Sequence, residues 1–204
     1  MKSKYKAIVF DLGNVVINVD AQPACDYWSD KFNIPSQEIK SKFPFDEVYA
    51  KFEKGLIDAA RFRDHLRQHY GVNFSNEDFD RGWNLILRSL TANIEDLLNT
   101  LKKDFRLVVL SNTNEIHIPV FEKRYEKLLK NFEHKFYSSR IHTRKPEIEA
   151  YTKILNYFEY KPGEIIFLDD KYENVRQAKK MGFYPILVKS TRQLKKELKE
   201  LKIL

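Results

Sequence analysis

Four short apolar runs punctuate the chain: Ala7–Phe10 and residues 107–110, 165–168 and 185–188. A half-buried strand would alternate apolar and polar positions. These runs are apolar at successive positions and rich in β-branched side chains, which fits strands of a parallel sheet covered on both faces. Elsewhere the apolar positions recur with helical spacing. Phe45, Val48, Tyr49 and Phe52 fall at i, i+3, i+4 and i+7, as do Trp83, Ile86, Leu87 and Leu90, and again Ile94, Leu97, Leu98 and Leu101. Each set predicts an amphipathic helix, and the first predicts that Phe45 to Phe52 pack into a core. Gly55, Gly71 and Gly182 follow helical stretches, as C-terminal caps do, and Ser75 with Asp78, and Thr91, mark helix starts.

The order of these patterns predicts an architecture. A strand opens the chain, and residues 18–90 then read as helix with no strand-like run. From residue 91 helix and strand alternate, with a further short strand predicted at residues 134–137. Such alternation argues for an α/β fold, a Rossmann-like doubly wound parallel sheet. Residues 1–17 and 91–204 are expected to form this core, and 18–90 an inserted helical cap.

At 204 residues the chain can bury a core and a modest insertion without disulfide or metal staples. The lone Cys25 cannot form an internal disulfide, which fits a reducing cytoplasm. Ala7–Phe10 is too short for a signal peptide's apolar region and no stretch could span a membrane, so a cytoplasmic protein without a membrane partner is expected. The net charge of +7 raises the question of nucleic acid. Much of the excess lies in residues 121–135 and 189–202. In the second stretch lysines and leucines interleave at helical spacing, the pattern of a solvated helix face. No nucleic-acid-binding motif accompanies them, so no such partner is expected.

In a doubly wound sheet, functional groups gather at the carboxyl ends of the strands. Asp11 follows the first run, Ser111 and Asn112 the second, and Asp169 and Asp170 the third, with Lys145 just ahead of a helix between them. Taken singly, each is ordinary turn or helix-cap chemistry. Taken together they suit phosphoryl transfer to a carboxylate. Asp11 would be the nucleophile. Asp11 and Asp170 would supply the one or two carboxylates that magnesium takes from a protein. Ser111 Oγ, the Asn112 backbone N–H and Lys145 would hold the phosphoryl group.

The segments FDLGNVVI, VVLSNTN, RKPEIEAY and IIFLDDKYENV resemble the four motifs of the haloacid dehalogenase (HAD) superfamily. The resemblance spans the chain, because the helical block lies between the first two motifs, where the superfamily's type 1 caps are inserted. DLGNVV, SNTNxxH ending at His117, FEKG (residues 52–55), RKPE, and LDD followed by Asn174 look most like the branch of bacterial sugar-phosphate phosphatases that includes the α-D-glucose-1-phosphate phosphatase. The resemblance implies a phosphoric monoester hydrolase that uses Mg2+. The ion would sit on Asp11, the Gly13 carbonyl and Asp170, with Asp169 one step removed. The substrate would be a small phosphorylated metabolite such as a hexose 1-phosphate, and the protein a monomer or homodimer. By the same resemblance, the turn Glu53-Lys54-Gly55 is expected nearest the substrate.

One position departs from the superfamily pattern. Its phosphatases usually carry a second Asp two residues after the nucleophile, as general acid and base, and here that position is Gly13. Losing such a group typically costs ~10²–10⁴ in rate. Three readings stay open: a leaving group that departs with little help, a substitute such as Asp20 or His117, or a protein that binds phosphorylated ligands or partners without cleaving them. The superfamily's metal-free dehalogenases also lack the second Asp. The adjacent Asp169 and Asp170 argue against that reading, because they would repel Asp11 without a cation.

Overall fold

The computed structural model describes residues 3–204; Met1 and Lys2, at the start of the expected core segment, lie outside them. The strands are β1 (Ala7–Phe10), β2 (Ile17–Val19), β3 (Leu87–Leu90), β4 (Arg106–Ser111), β5 (His134–Tyr137), β6 (Ile165–Asp169) and β7 (Tyr184–Leu187). Five of them form one sheet in the order β5-β4-β1-β6-β7, parallel throughout. β1 is therefore central, with β4 and β6 as its two neighbours.

The unbroken apolar runs follow from burial on both faces. Ile8 and Phe10 of β1 enter one apolar cluster and Ala7 and Val9 the other; Leu107 and Val109 oppose Val108 and Leu110 in the same way. Each large side chain buried like this contributes roughly 1.5–3 kcal/mol relative to exposure. After β3 come α6 (Ile94–Leu101), α7 (Ile118–Arg124), α8 (Glu126–Leu129), α9 (Ser138–Ile141), α10 (Ile148–Phe158), α11 (Tyr172–Lys180) and α12 (Thr191–Glu200). α6, α7, α8 and α12 cover the first face, and α10 and α11 the second. No helix among the described residues is long and apolar enough to cross a membrane.

Between β2 and β3 lie α1 (Gln22–Phe32), α2 (Ser36–Lys42), α3 (Glu47–Glu53), α4 (Ala59–Tyr70) and α5 (Asn76–Asn84). They enclose their own cluster, built on aromatic rings: Trp28 stacks on Phe79 at 4.9 Å between centroids, and Phe52 on Phe62 at 4.5 Å. Ser75 caps α5 by accepting the Asp78 N–H (3.0 Å), as its spacing implies. Gly71 ends α4 at φ +65°, in the left-handed region that glycine enters without a steric cost. Gly55 has a second requirement besides φ +63°: a Cβ there would lie 2.2 Å from the Ser139 carbonyl oxygen, so only glycine lets this turn press against α9.

Three expectations fail in this region. Residues 83–90 do not continue as helix. α5 stops at Asn84, and Leu87–Leu90 instead pairs antiparallel with Ile17–Val19, so a two-stranded ribbon joins the two ends of the helical block. The helical spacing of Trp83 to Leu90 was a coincidence of two elements meeting at a turn. Phe45 is not in the core. It precedes the Asp46 cap of α3 and is 75% exposed, although Tyr49 and Phe52 do pack inward. α6 does not start at Thr91: Asn93 precedes its first turn, in the left-handed region and without a side-chain cap bond, while the Thr91 hydroxyl donates to the Val15 carbonyl.

Candidate active site

Asp11, Ser111 and Asp169 sit at the carboxyl ends of β1, β4 and β6, three adjacent strands, which brings residues 100 and 158 positions downstream of Asp11 together with it. A cleft of about 200 Å³ opens there, lined by Asp11, Gly13, Ser111, Asn112, Lys145 and Asp170 from the sheet side. Tyr49, Glu53 and Trp83 of the helical block line it from the other. Every residue picked out from the sequence to attack, to hold the phosphoryl group or to ligate the ion lines this cleft, while Asp169 is fully buried beside it.

The centre is an ion cluster. Lys145 Nζ lies 2.9 Å from Asp11 Oδ1 and 2.6 Å from Asp169 Oδ2. Asp11, Asp169 and Asp170 each place a carboxylate oxygen within 4.8 Å of the others. Burial pushes the Asp11 carboxyl up to about 6; Lys145 opposes this, and Asp169 and Asp170 add to it. Burial works against the Lys145 charge as well, but Asp11 and Asp169 outweigh it and hold the ammonium above its ordinary value.

The two acids at the end of β6 differ in what they have left to offer. Asp169 Oδ1 accepts from the Lys171 N–H and the Asn174 amide, each at 2.9 Å, and its Oδ2 accepts from Lys145. Asp170 accepts through Oδ2 from Asn14 Nδ2 (2.9 Å). Both oxygens of Asp169 are thus engaged, whereas Asp170 faces the cleft. Three carboxylates against one ammonium leave two negative charges, which a divalent cation would balance. An all-oxygen donor set of this kind suits magnesium.

Several positioning residues carried no sequence signal strong enough to name their roles. Asn14 adopts φ +55°, and its side chain links Val19 N–H (Oδ1, 3.0 Å) to Asp170, tying the loop after β1 to the loop after β6. The Asn112 amide accepts from the Lys145 N–H (2.8 Å) and donates to the Lys145 carbonyl (2.9 Å). Its side chain therefore clamps the lysine's backbone, leaving only its own N–H to face a ligand. Ser138 accepts the Thr113 N–H (2.9 Å) and donates to the Glu53 carbonyl (2.6 Å), docking the turn after α3 onto the sheet. Asp20, one candidate substitute for the missing acid, is exposed and accepts the Gln22 N–H at the start of α1; it does not line the cleft. His117 does line it.

Comparison with known proteins agrees with this geometry. The model of a hydrolase family, the haloacid dehalogenase-like hydrolases, matches residues 5–182. The D-ribitol-5-phosphate phosphatase of Bacteroides thetaiotaomicron is 24% identical over 184 residues, 87% of this chain and 89% of that protein. The chloroplast flavin mononucleotide hydrolase 1 of Arabidopsis thaliana is 27% identical, over 99% of this chain and 80% of its own. A HAD family enzyme from B. thetaiotaomicron, solved in complex with magnesium and inorganic phosphate, superposes with a TM-score of 0.81 at 30% identity, covering 91% of this chain and 95% of that one. With the four motif segments converging on one cleft and the family model spanning most of its length, the chain belongs to the haloacid dehalogenase-like hydrolases.

Proposed function

We propose that this chain hydrolyses a small sugar or polyol phosphate, a hexose 1-phosphate among the candidates, through an aspartyl-phosphate on Asp11. The observation that carries the reading is the cluster of Asp11, Asp169 and Asp170 around Lys145, with its two uncompensated negative charges. The phosphatases among the relatives support the reaction class, and the ribitol-5-phosphate phosphatase puts polyol phosphates beside sugar phosphates as substrates to test.

Asp11 attacks phosphorus; the bond from phosphorus to the ester oxygen breaks, and that oxygen, taking a proton from water because Gly13 supplies none, leaves as the alcohol. Water then attacks the aspartyl-phosphate, releasing inorganic phosphate and regenerating the carboxylate. Ser111, the Asn112 N–H and Lys145 hold the phosphoryl oxygens, and Lys145 also offsets the repulsion between a carboxylate and a phosphate dianion. Asp11, the Gly13 carbonyl and Asp170 would hold magnesium, which would supply charge neutralisation on the transferring group. Asp169 orients Lys145. Residues 18–90 act as the cap that shields the reaction from water, over a core of 1–17 and 91–204. The buried, lone Cys25 supports a cytoplasmic setting.

The test is phosphate release from a panel of sugar phosphates, polyol phosphates and p-nitrophenyl phosphate, with magnesium and with EDTA. Release that requires magnesium is expected. A folded protein that releases nothing from any compound would favour the binding-only reading, with Gly13 as its mark. The same ion cluster disfavours a metal-free dehalogenase, which would have to tolerate Asp170 beside Asp11 with no cation.

Gly13→Asp tests the missing acid directly. A Cβ at this position meets only Val19 Cγ2, at 3.6 Å, an ordinary contact, so the backbone admits a side chain. Turnover of alkyl phosphates, whose alcohols leave poorly, is expected to rise about 10-fold or more, while p-nitrophenyl phosphate gains little. Equal rates for both proteins on alkyl phosphates would point to a substitute acid or to a different slow step.

A further inference from the structure

Among the buried titratable residues that line the cleft, His117 and Glu53 have no part in the phosphoryl chemistry. His117 is 5% exposed, and its ring meets Trp83 edge-on at 4.7 Å between centroids. Its Nδ1 lies 3.0 Å from Oδ1 of Asn84, the last residue of α5. Asn84 Nδ2 donates to the Asp80 carbonyl at 2.8 Å. A carbonyl can only accept, so the amide nitrogen must face Asp80 and the amide oxygen must face His117. That oxygen can also only accept, so Nδ1 carries the imidazole proton. Burial pushes the ring down to about 3, so it is neutral, and Nε2 holds a lone pair without a proton. Nε2 makes no hydrogen bond to the described residues and is not among their sealed, unpartnered buried atoms; it is left for the cleft that His117 lines.

Glu53 stands in the same wall, but its oxygens are engaged or sealed. It is 6% exposed; Oε1 accepts from Tyr49 Oη (2.7 Å), and Oε2 lies 3.0 Å from Arg144 Nη2 without hydrogen-bond alignment. Trp83, edge-on to His117, offers an aromatic surface to C–H groups. A wall of one open acceptor and an aromatic ring suits a neutral, hydroxyl-bearing chain.

We propose that His117 is a specificity-determining residue whose Nε2 accepts a hydrogen bond from a hydroxyl of the leaving group, so that the cleft selects phosphate esters of polyhydroxylated alcohols over those of plain alcohols. The proposal rests on the phosphatase reading and adds the group that reads the organic half of the substrate. It also assigns His117 a role other than substitute acid, because an unprotonated Nε2 has nothing to give a departing oxygen. A site that pairs its buried acceptor with a substrate hydroxyl rejects an analogue lacking that hydroxyl, because the acceptor is then desolvated without a partner.

The experiment compares matched esters: ribitol 5-phosphate with n-pentyl phosphate, and glucose 1-phosphate with cyclohexyl phosphate. In whichever pair is turned over faster, wild-type kcat/KM is expected to favour the hydroxylated ester. His117→Phe, which keeps a ring but removes the acceptor, is expected to shrink that ratio about 10-fold. A packing role would lower both esters in parallel, and an unchanged ratio overturns the proposal. Long-range proton–nitrogen correlation on histidine-labelled protein reads the same claim without turnover or substitution of His117. At pH 7 it is expected to show the Nδ1–H tautomer, with Nε2 shifting when magnesium and ribitol 5-phosphate are added to Asp11→Asn but not when magnesium and inorganic phosphate are. An Nε2–H tautomer or a charged ring overturns the proposal. No phosphate release by the wild type from any of these esters or from p-nitrophenyl phosphate would overturn the phosphatase reading, and this inference with it.

Discussion

Asp11→Asn is expected to lower phosphate release by about 10⁴-fold or more while leaving the protein folded and, in EDTA at pH 8, more stable than the wild type. The substitution is isosteric. It preserves an oxygen for Lys145 Nζ and for the Leu12 N–H, which Asp11 Oδ1 accepts at 2.7 Å, but an amide cannot attack phosphorus. The stability gain follows from linkage. Burial holds the Asp11 pKa at about 6, above its ordinary value near 4, so the native state binds this proton more tightly than the unfolded chain does. The cost of ionising Asp11 is absent below about pH 4, grows through the interval up to about 6 and is complete above it. Asparagine never carries that cost, so its advantage of roughly 1–3 kcal/mol appears at pH 8 and fades by pH 4.

Urea unfolding of both proteins in EDTA at the two pH values measures this. Adding magnesium is expected to reverse the order, because an ion that binds the native state stabilises the protein that keeps its carboxylate. A variant less stable than wild type at both pH values would make Asp11 a structural residue. Normal turnover would remove it from the reaction.

The same physics that sets these energies decided what could be read without coordinates. The strands were legible because burial on both faces demands apolar residues at successive positions, and Ile8 and Val9 serve opposite faces of the sheet. The convergence of the site was legible because Asp11, Ser111 and Asp169 each directly follow or end such a run, on strands that turn out to be neighbours. Leu87–Leu90 was not, since its strand character comes from pairing with Ile17–Val19, some 70 residues away, and a four-residue strand beside a helix end mimics helical spacing. Nor were the polar pairs that position the site: Asn14 with Asp170, Asn84 with His117, Arg144 with Glu53. A single polar contact across the tertiary structure leaves no periodicity on either partner. His117 could be noted as a histidine near a motif; only the Asp80 carbonyl, through Asn84, fixes which of its nitrogens faces the cleft.

Lys145→Met should be the most damaging single change to the site as a whole. Lys145 is 2% exposed and is the cation between Asp11 and Asp169. Methionine nearly matches its length and apolar stem, so the loss is chiefly of charge. Removing one partner from a buried ion cluster typically costs ~3–5 kcal/mol, because the remaining charges are left uncompensated. Here the carboxylates can relieve part of that by binding protons. With Lys145 gone, Asp11 loses the group that opposed its upward shift, so its native pKa rises further above the unfolded value. The added cost must then be greatest at high pH and recede as pH falls and the carboxyl is protonated. In EDTA, a deficit of about 3–5 kcal/mol at pH 8 is expected to narrow substantially at pH 5, read from urea unfolding curves. Phosphate release at saturating magnesium is expected to fall about 10³-fold, since magnesium can ease the repulsion among the acids but cannot replace a donor to the phosphoryl oxygens. A deficit of the same size at both pH values would mean that Lys145 matters for packing. Retained activity would move the phosphoryl-binding charge to another residue.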